Sequence, residues 1–295
     1  MLGPTAAGKT EVAVGAAKKL GAEIISVDSM QVYREMNIGT AKPAFLEREE
    51  VPHHMIDVVD PEVEFSVAEF RLRARALINA RPGSRFLITG GSGLHFRALV
   101  DPMSFAPTDA GLREDLEGRP IEVLRAELES ADPAAGSHVD LANPRRVVRA
   151  VEILRLTGET PATRAVKAEA EDLRRYVAEV EFTAVGVDPG EDLDHRVDSR
   201  LEQMRDGGLI QEVDSLRGRL GRTARRAVGY RELADALDAS TDLDEALSLT
   251  ARNTKKLARR QRTWFQRDPR IHWIPWLENV DDRIERVLEV LDEPD

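Results

Sequence analysis

The chain has 295 residues, 42% of them hydrophobic, and a formal net charge of −11. That hydrophobic content suffices for a full core, so a soluble enzyme of one or two domains is expected, and no apolar run approaches the roughly 18 residues of a membrane span. The absence of cysteine excludes disulfides and thiolate metal sites and fits the cytoplasm, and the start, Met1-Leu2-Gly3-Pro4-Thr5, lacks the basic and apolar regions of a signal peptide.

In chain order, Gly3-Pro4-Thr5-Ala6-Ala7-Gly8-Lys9-Thr10 comes first and matches the phosphate-loop pattern G-x-x-x-x-G-K-[ST] in full. Glycines let the backbone wrap around a phosphate, and consecutive amides with a helix N-terminus supply positive potential. Lys9 adds a mobile charge, and the Thr10 hydroxyl can ligate Mg²⁺. Ala13, Ala16, Ala17 and Leu20 recur at helical spacing behind the loop, and Gly21 ends that helix. Such a loop ordinarily follows a strand, yet only Met1 and Leu2 precede Gly3, so either the start codon is placed too far downstream, the favoured reading, or the sheet lacks most of its first strand. The loop calls for a diphosphate or triphosphate without implying nucleotide hydrolysis, because a diphosphate ester used as an alkyl donor has the same anionic handle.

Glu23 to Val27 reads as a short buried strand with Asp28 at its carboxyl end, where open α/β sheets place their chemistry. Asp28 could bind Mg²⁺, accept a proton from a nucleophile, or simply cap a turn at Ser29. Ser66-Val67-Ala68-Glu69 has the form of a capping box before a helix with Val67, Phe70, Ala74, Leu77 and Ile78 inside. Pro82-Gly83 breaks that helix, and Phe86-Leu87-Ile88 forms the next strand. It runs into Gly90-Gly91-Ser92-Gly93, a second close-approach loop able to put Ser92 beside the phosphates. Strands and helices alternating through Gly-rich joints predict an α/β fold, a P-loop-type parallel sheet with flanking helices.

From residue 112 to 183 the chain turns helical and highly charged, which predicts a helical insertion domain within a core of residues 1–111 and 184–295. Asn143-Pro144 caps and opens a helix with Val147, Ala150, Val151 and Leu154 on one side and Gly158 as its stop. Arg145, Arg146 and Arg149 lie off that stripe and are expected to be exposed. Val180 to Val187 returns to the sheet. Leu243 to Phe265 is a long helix whose stripe is Leu247, Ala251, Thr254, Ala258, Gln261 and Phe265.

Net charge alone argues against a nucleic-acid partner, since phosphate binding needs Lys and Arg. The distribution points the other way. Ser215 to Arg231 holds six arginines and no acid, and Arg252 to Arg262 holds six Lys or Arg and no acid. Each run alone reads as a solvated helix face; two in one acidic chain predict a local anion-binding surface.

Several blocks stand out together: the phosphate loop, Ser26-Val27-Asp28-Ser29, Tyr33, Ile38-Gly39-Thr40-Ala41-Lys42-Pro43 and His53-His54-Met55-Ile56-Asp57, then Asn143-Pro144-Arg145-Arg146, Ala227-Val228-Gly229-Tyr230-Arg231 and Arg260-Gln261-Arg262-Thr263-Trp264. In this order, across nearly the whole chain, they resemble the tRNA dimethylallyltransferases. The resemblance implies that Gly3 to Thr10 hold dimethylallyl diphosphate rather than ATP, with Mg²⁺ on Thr10. It implies Asp28 as general base for an adenine's exocyclic amine, and Ser92, where the family usually has Thr, at the diphosphate's bridging oxygen. His95 stands where the family more often has Tyr. The implied partner is the tRNA anticodon stem-loop, contacted by Asp28, Ser29, Met30, Gln31, Arg113, Arg145, Arg146, Arg149, Arg226, Gly229, Tyr230 and Arg231. No membrane is involved, and a monomer is expected. Two enzymes of other kinds compete: a P-loop kinase of a small metabolite or nucleotide, and an adenylate isopentenyltransferase, which uses a free nucleotide and generally lacks so large an insertion. A non-enzymatic RNA-binding module is disfavoured by the complete phosphate loop.

Overall fold

In the computed structural model of the protein, which describes residues 1–292, Lys9–Leu20 forms helix α1, closed by Gly21 in the left-handed conformation. Glu23–Ser26 (β1) and His53–His54 (β2) follow, then helix Val67–Asn79 (α2), strand Phe86–Thr89 (β3) and helix Gly93–Val100 (α3). β1 lies between β2 and β3, parallel to both, with Ile24 opposite His53 and Leu87. The Ser66 side chain caps α2 by accepting from Glu69 N at 3.1 Å. The reciprocal half of the expected capping box is not made, because Glu69 instead takes Arg73 one turn on at 2.6 Å. An ion pair at that spacing competes with the reach back to the cap.

Helices Ala110–Glu117 (α4), Ile121–Ala131 (α5) and Pro144–Thr157 (α6) belong to a second compact unit, Asp101–Val180, which in sequence interrupts the first, Met1–Val100 and 181–292 among the described residues. Asn143 caps α6 by accepting from the amides of Arg145 and Arg146, and Gly158 ends it in the left-handed conformation. The unit has its own core, including Leu116, Leu124, Leu128, Val147 and Val151. Its boundaries differ from the predicted 112 and 183. Residues 101–111 join it because Arg149 donates to the carbonyls of Ala106 (2.7 Å) and Pro107 (2.9 Å), while Asp109 N donates to Glu152 at 3.0 Å. Phe182 falls on the other side, edge-on to Phe96 with centroids 5.4 Å apart.

The chain then resumes the first unit with strand Ala184–Gly186 (β4), helices Leu193–Asp206 (α7), Leu209–Leu216 (α8), Tyr230–Ala239 (α9) and Leu243–Gln266 (α10), strand Ile271–Trp273 (β5) and helix Val280–Asp292 (α11). β4 and β5 pair in parallel. Leu2 joins the two ladders by parallel bridges to Gly90 and Gly186, its N–H donating to Val185 O at 2.8 Å and its carbonyl accepting from Val187 N at 2.9 Å. The phosphate loop after Leu2, Asp28 after β1 and Ser92 after β3 therefore share the carboxyl edge of one parallel array, where amide dipoles and loop ends converge. No helix of the described residues is long and apolar enough to cross a membrane.

Candidate active site

The loop before α1 takes left-handed conformations at Ala6 (φ 62°) and Gly8 (φ 67°), which turn successive amides to one side. Gly8 caps α1 with no side-chain hydrogen bond, so the first-turn amides stay open to an anion. Gly3 is packed so closely on Val187 that an added Cβ would lie 2.2 Å from its carbonyl oxygen. From α10, Gln261 Oε1 accepts the Thr5 amide at 2.8 Å, and from α7, Arg196 Nε donates to Ala6 O at 2.9 Å. Lys9 Nζ folds back onto Pro4 O at 2.6 Å. Burial, then the nearby Arg200 cation, pull the Lys9 ammonium down to about 7, against the opposing pull of Asp28.

Two adjoining cavities open on this edge. The smaller, of about 60 Å³, is polar and is walled by Lys9, Thr10, Ser26, Gln31, His53 and Thr89. The larger, of about 340 Å³, has a mostly apolar wall that includes Leu94, Leu201, Met204, Leu209, Leu257 and Trp264. Thr5, Asp28, Thr40, Gly91, Arg200 and Gln261 line both and so mark their junction. Ser92, Ser29 and Met30 face the larger cavity.

Asp28 Oδ1 accepts the amides of Met30 at 2.8 Å and Gln31 at 3.4 Å, so the turn-capping role and a place in the cavity wall coexist. Its other oxygen has no hydrogen bond among the described residues. Ser92 Oγ lies 2.8 Å from His95 Nδ1. Burial pulls the His95 imidazole down to about 4, with Asp28 opposing, so the ring is neutral near pH 7. Gln31, expected among the RNA contacts, is spent on the fold: it accepts from Ser26 Oγ at 2.8 Å and donates to the carbonyls of Thr40 and Ala41.

Other expected RNA contacts also prove to be internal. Tyr230 is fully buried, and its hydroxyl donates to Glu212 Oε1 at 2.5 Å. The same carboxylate accepts the amides of Asn37, Ile38 and Gly39, and an added Cβ on Gly39 would meet the Tyr230 ring. Tyr230 thus holds the cavity-lining loop instead of presenting itself to a ligand. Gly229, at φ 93°, lines the larger cavity. In the inserted unit, Arg113 and Arg149 both donate to Glu152, at 2.7 and 2.6 Å, and this carboxylate is fully buried. Burial pushes its carboxyl up, but the two guanidiniums outweigh that and hold it below the usual range. Arg149 is therefore not the exposed residue its place off the apolar stripe predicts. Arg145 is exposed, and Arg146 stands 3.9 Å from an exposed Asp140.

Acids from elsewhere neutralise much of both basic runs. Arg217 and Arg225 pair with Asp238, Arg219 with Glu35 and Glu62, and Arg231 with Glu232; Lys255 pairs with Asp198, Arg259 with Asp194 and Arg262 with Asp188. Arg226 is exposed. Arg252, Lys256 and Arg260 are exposed and make no ion pair among the described residues. Spaced by four, they form one stripe along α10, and Arg260 reaches the rim of the larger cavity.

Sequence reasoning missed Arg200, Gln261 as a loop anchor, Glu212 and this stripe. Arg200 sits in a charge-rich helix with nothing local to distinguish it, and the stripe emerges only once the pairing acids are known.

The comparisons with known proteins agree on one family. The family model described as IPP transferase matches residues 31–268. The chain is 44% identical over 286 residues to a tRNA dimethylallyltransferase of Bifidobacterium longum, covering 93% of this chain and 85% of that one. Among solved structures it is similar to the full-length tRNA isopentenylpyrophosphate transferase of Bacillus halodurans, at TM-score 0.68 and 34% identity over 99% of this chain and 95% of that one. It is also similar to the tRNA delta(2)-isopentenylpyrophosphate transferase of Staphylococcus epidermidis, at TM-score 0.70 and 30% identity over 98% of this chain and 96% of that one.

Proposed function

The chain belongs to the IPP transferase family, and on that premise we propose that it transfers a dimethylallyl group from dimethylallyl diphosphate to the exocyclic amine of the adenosine 3′ to the anticodon in tRNA. The observation that carries the reading is the paired cavity. A polar, cationic chamber adjoins an apolar one, which suits a donor with an anionic diphosphate head and a short hydrocarbon tail. Asp28 and Arg200 stand where head and tail would meet.

In this reading the flipped adenine presents its amine to the larger cavity, and unstacking it from a single-stranded loop costs a few kcal/mol. The nitrogen bonds to the allylic carbon, the carbon–oxygen bond to diphosphate breaks, and the amine's proton passes to Asp28. Loop amides, Lys9 and Arg200 stabilise the charge that grows on the leaving diphosphate, with Ser92 beside them. For Mg²⁺, Thr10 supplies an oxygen ligand of the right hardness in the polar chamber, and no cluster of three His, Asp or Glu competes for it among the described residues. When bound, the ion would neutralise charge on the leaving diphosphate. Both cavities are lined by one chain, which supports action as a monomer, and a tRNA substrate is consistent with work in the cytoplasm.

Incubation with dimethylallyl diphosphate and unmodified tRNA should yield prenylated adenosine, whereas ATP with small acceptors should yield no ADP. Turnover of ATP, or prenylation of free AMP in preference to tRNA, would overturn the proposal.

Lys9 carries a pH signature. With its ammonium drawn down to about 7, most Lys9 side chains are neutral at pH 8 in the free protein. A bound diphosphate favours the charged form, so binding must take up a proton. Affinity for diphosphate should therefore fall as pH rises from 7 towards 10. Calorimetric enthalpies at pH 8 should depend on the ionisation enthalpy of the buffer, and the number of protons taken up should fall by close to one in Lys9→Met.

A further inference from the structure

We infer that His95 aims the Ser92 hydroxyl: its imidazole donates from Nδ1–H to Ser92 Oγ, leaving the serine proton free to point into the cavity. The inference rests on the reading that Ser92 faces the leaving diphosphate.

A hydroxyl has one proton and two lone pairs. Ser92 directly precedes α3, and its Oγ meets two nitrogens of His95, Nδ1 at 2.8 Å and the backbone N–H at 3.5 Å. If both donate, both lone pairs are occupied and the serine proton must go elsewhere. The cavity that Ser92 lines lies open to it. In the opposite tautomer the serine spends its proton on Nδ1 and turns a lone pair towards an anionic leaving group, which repels it. That tautomer also puts the ring proton on Nε2, which has no hydrogen-bond partner among the described residues. His95 is 7% exposed and packs edge-on to Phe70 with centroids 4.8 Å apart, so no protein acceptor stands ready for such an N–H and only water could take it. The same packing fixes the ring's orientation and keeps it neutral, the charged group acting on it being Asp28. His95 is thus a positioning residue, acting through Ser92.

The tautomer can be read directly by NMR of the intact protein carrying ¹⁵N-labelled histidine, with the His95 signals identified by their loss in His95→Phe. The proton is expected on Nδ1 with Nε2 bare. A proton on Nε2 alone, or a ring cationic at pH 7, overturns the inference. A double-mutant cycle on single-turnover transfer gives the second readout. Ser92→Ala should slow transfer by about 100-fold or more, and His95→Phe by about tenfold or less. In the double variant the histidine change should add nothing, whereas additive losses would show that His95 acts independently of Ser92 and overturn the inference. A wild-type rate for Ser92→Ala removes the premise about Ser92, and the inference with it, whichever tautomer the spectrum shows.

Discussion

Asp28→Asn should lower the single-turnover rate of prenyl transfer by about 10²- to 10⁴-fold, the usual cost of losing a general base. Binding of tRNA and thermal stability should stay close to wild type. The substitution isolates chemistry from architecture because asparagine keeps an oxygen where Asp28 Oδ1 accepts the amides of Met30 and Gln31. What it lacks is a carboxylate that can take a proton. A rate within a few-fold of wild type under single-turnover conditions would show that the proton leaves by another route and would confine Asp28 to capping its turn.

Replacing Arg252, Lys256 and Arg260 together by alanine should weaken tRNA binding by roughly tenfold or more and lower the slope of log affinity against log salt by about 0.9 for each phosphate that the variant no longer neutralises. Affinity for diphosphate should hardly change. These three are singled out by pairing, since their neighbours Lys255, Arg259 and Arg262 are committed to Asp198, Asp194 and Asp188. An unchanged slope would mean that the stripe is only solvated surface. Arg145 and Arg146 invite the same measurement in the inserted unit, but Arg149 does not. Removing it takes one of the two guanidiniums, with Arg113 the other, from a fully buried carboxylate and frees the carbonyls of Ala106 and Pro107, which destabilises the unit. Weaker tRNA binding in that variant would report a damaged unit rather than a direct role for Arg149 at a phosphate.

Local sequence determined whatever depends on neighbouring residues. The phosphate loop is legible because Gly8, Lys9 and Thr10 meet their requirements within one turn, and the capped helix from Pro144 to Thr157 because Asn143 and Gly158 satisfy backbone groups close by. Asp28 and Ser92 were legible for the same reason, each standing just after a short apolar strand. Tertiary structure decided which charges are free and which side chains are buried, because an ion pair or a cavity wall joins residues far apart in the chain. Arg149 and Tyr230 read as surface contacts until Glu152 and Glu212 were seen to hold them. Arg200 had no local signature, since it belongs to the site only because α7 carries it to the junction of the two cavities. The basic runs were legible as composition, but their net effect depended on acids up to 184 residues away, as with Arg219 and Glu35. Short-range rules cover backbone satisfaction and period; Coulomb pairing and desolvation depend on distance in space, which only the folded chain defines.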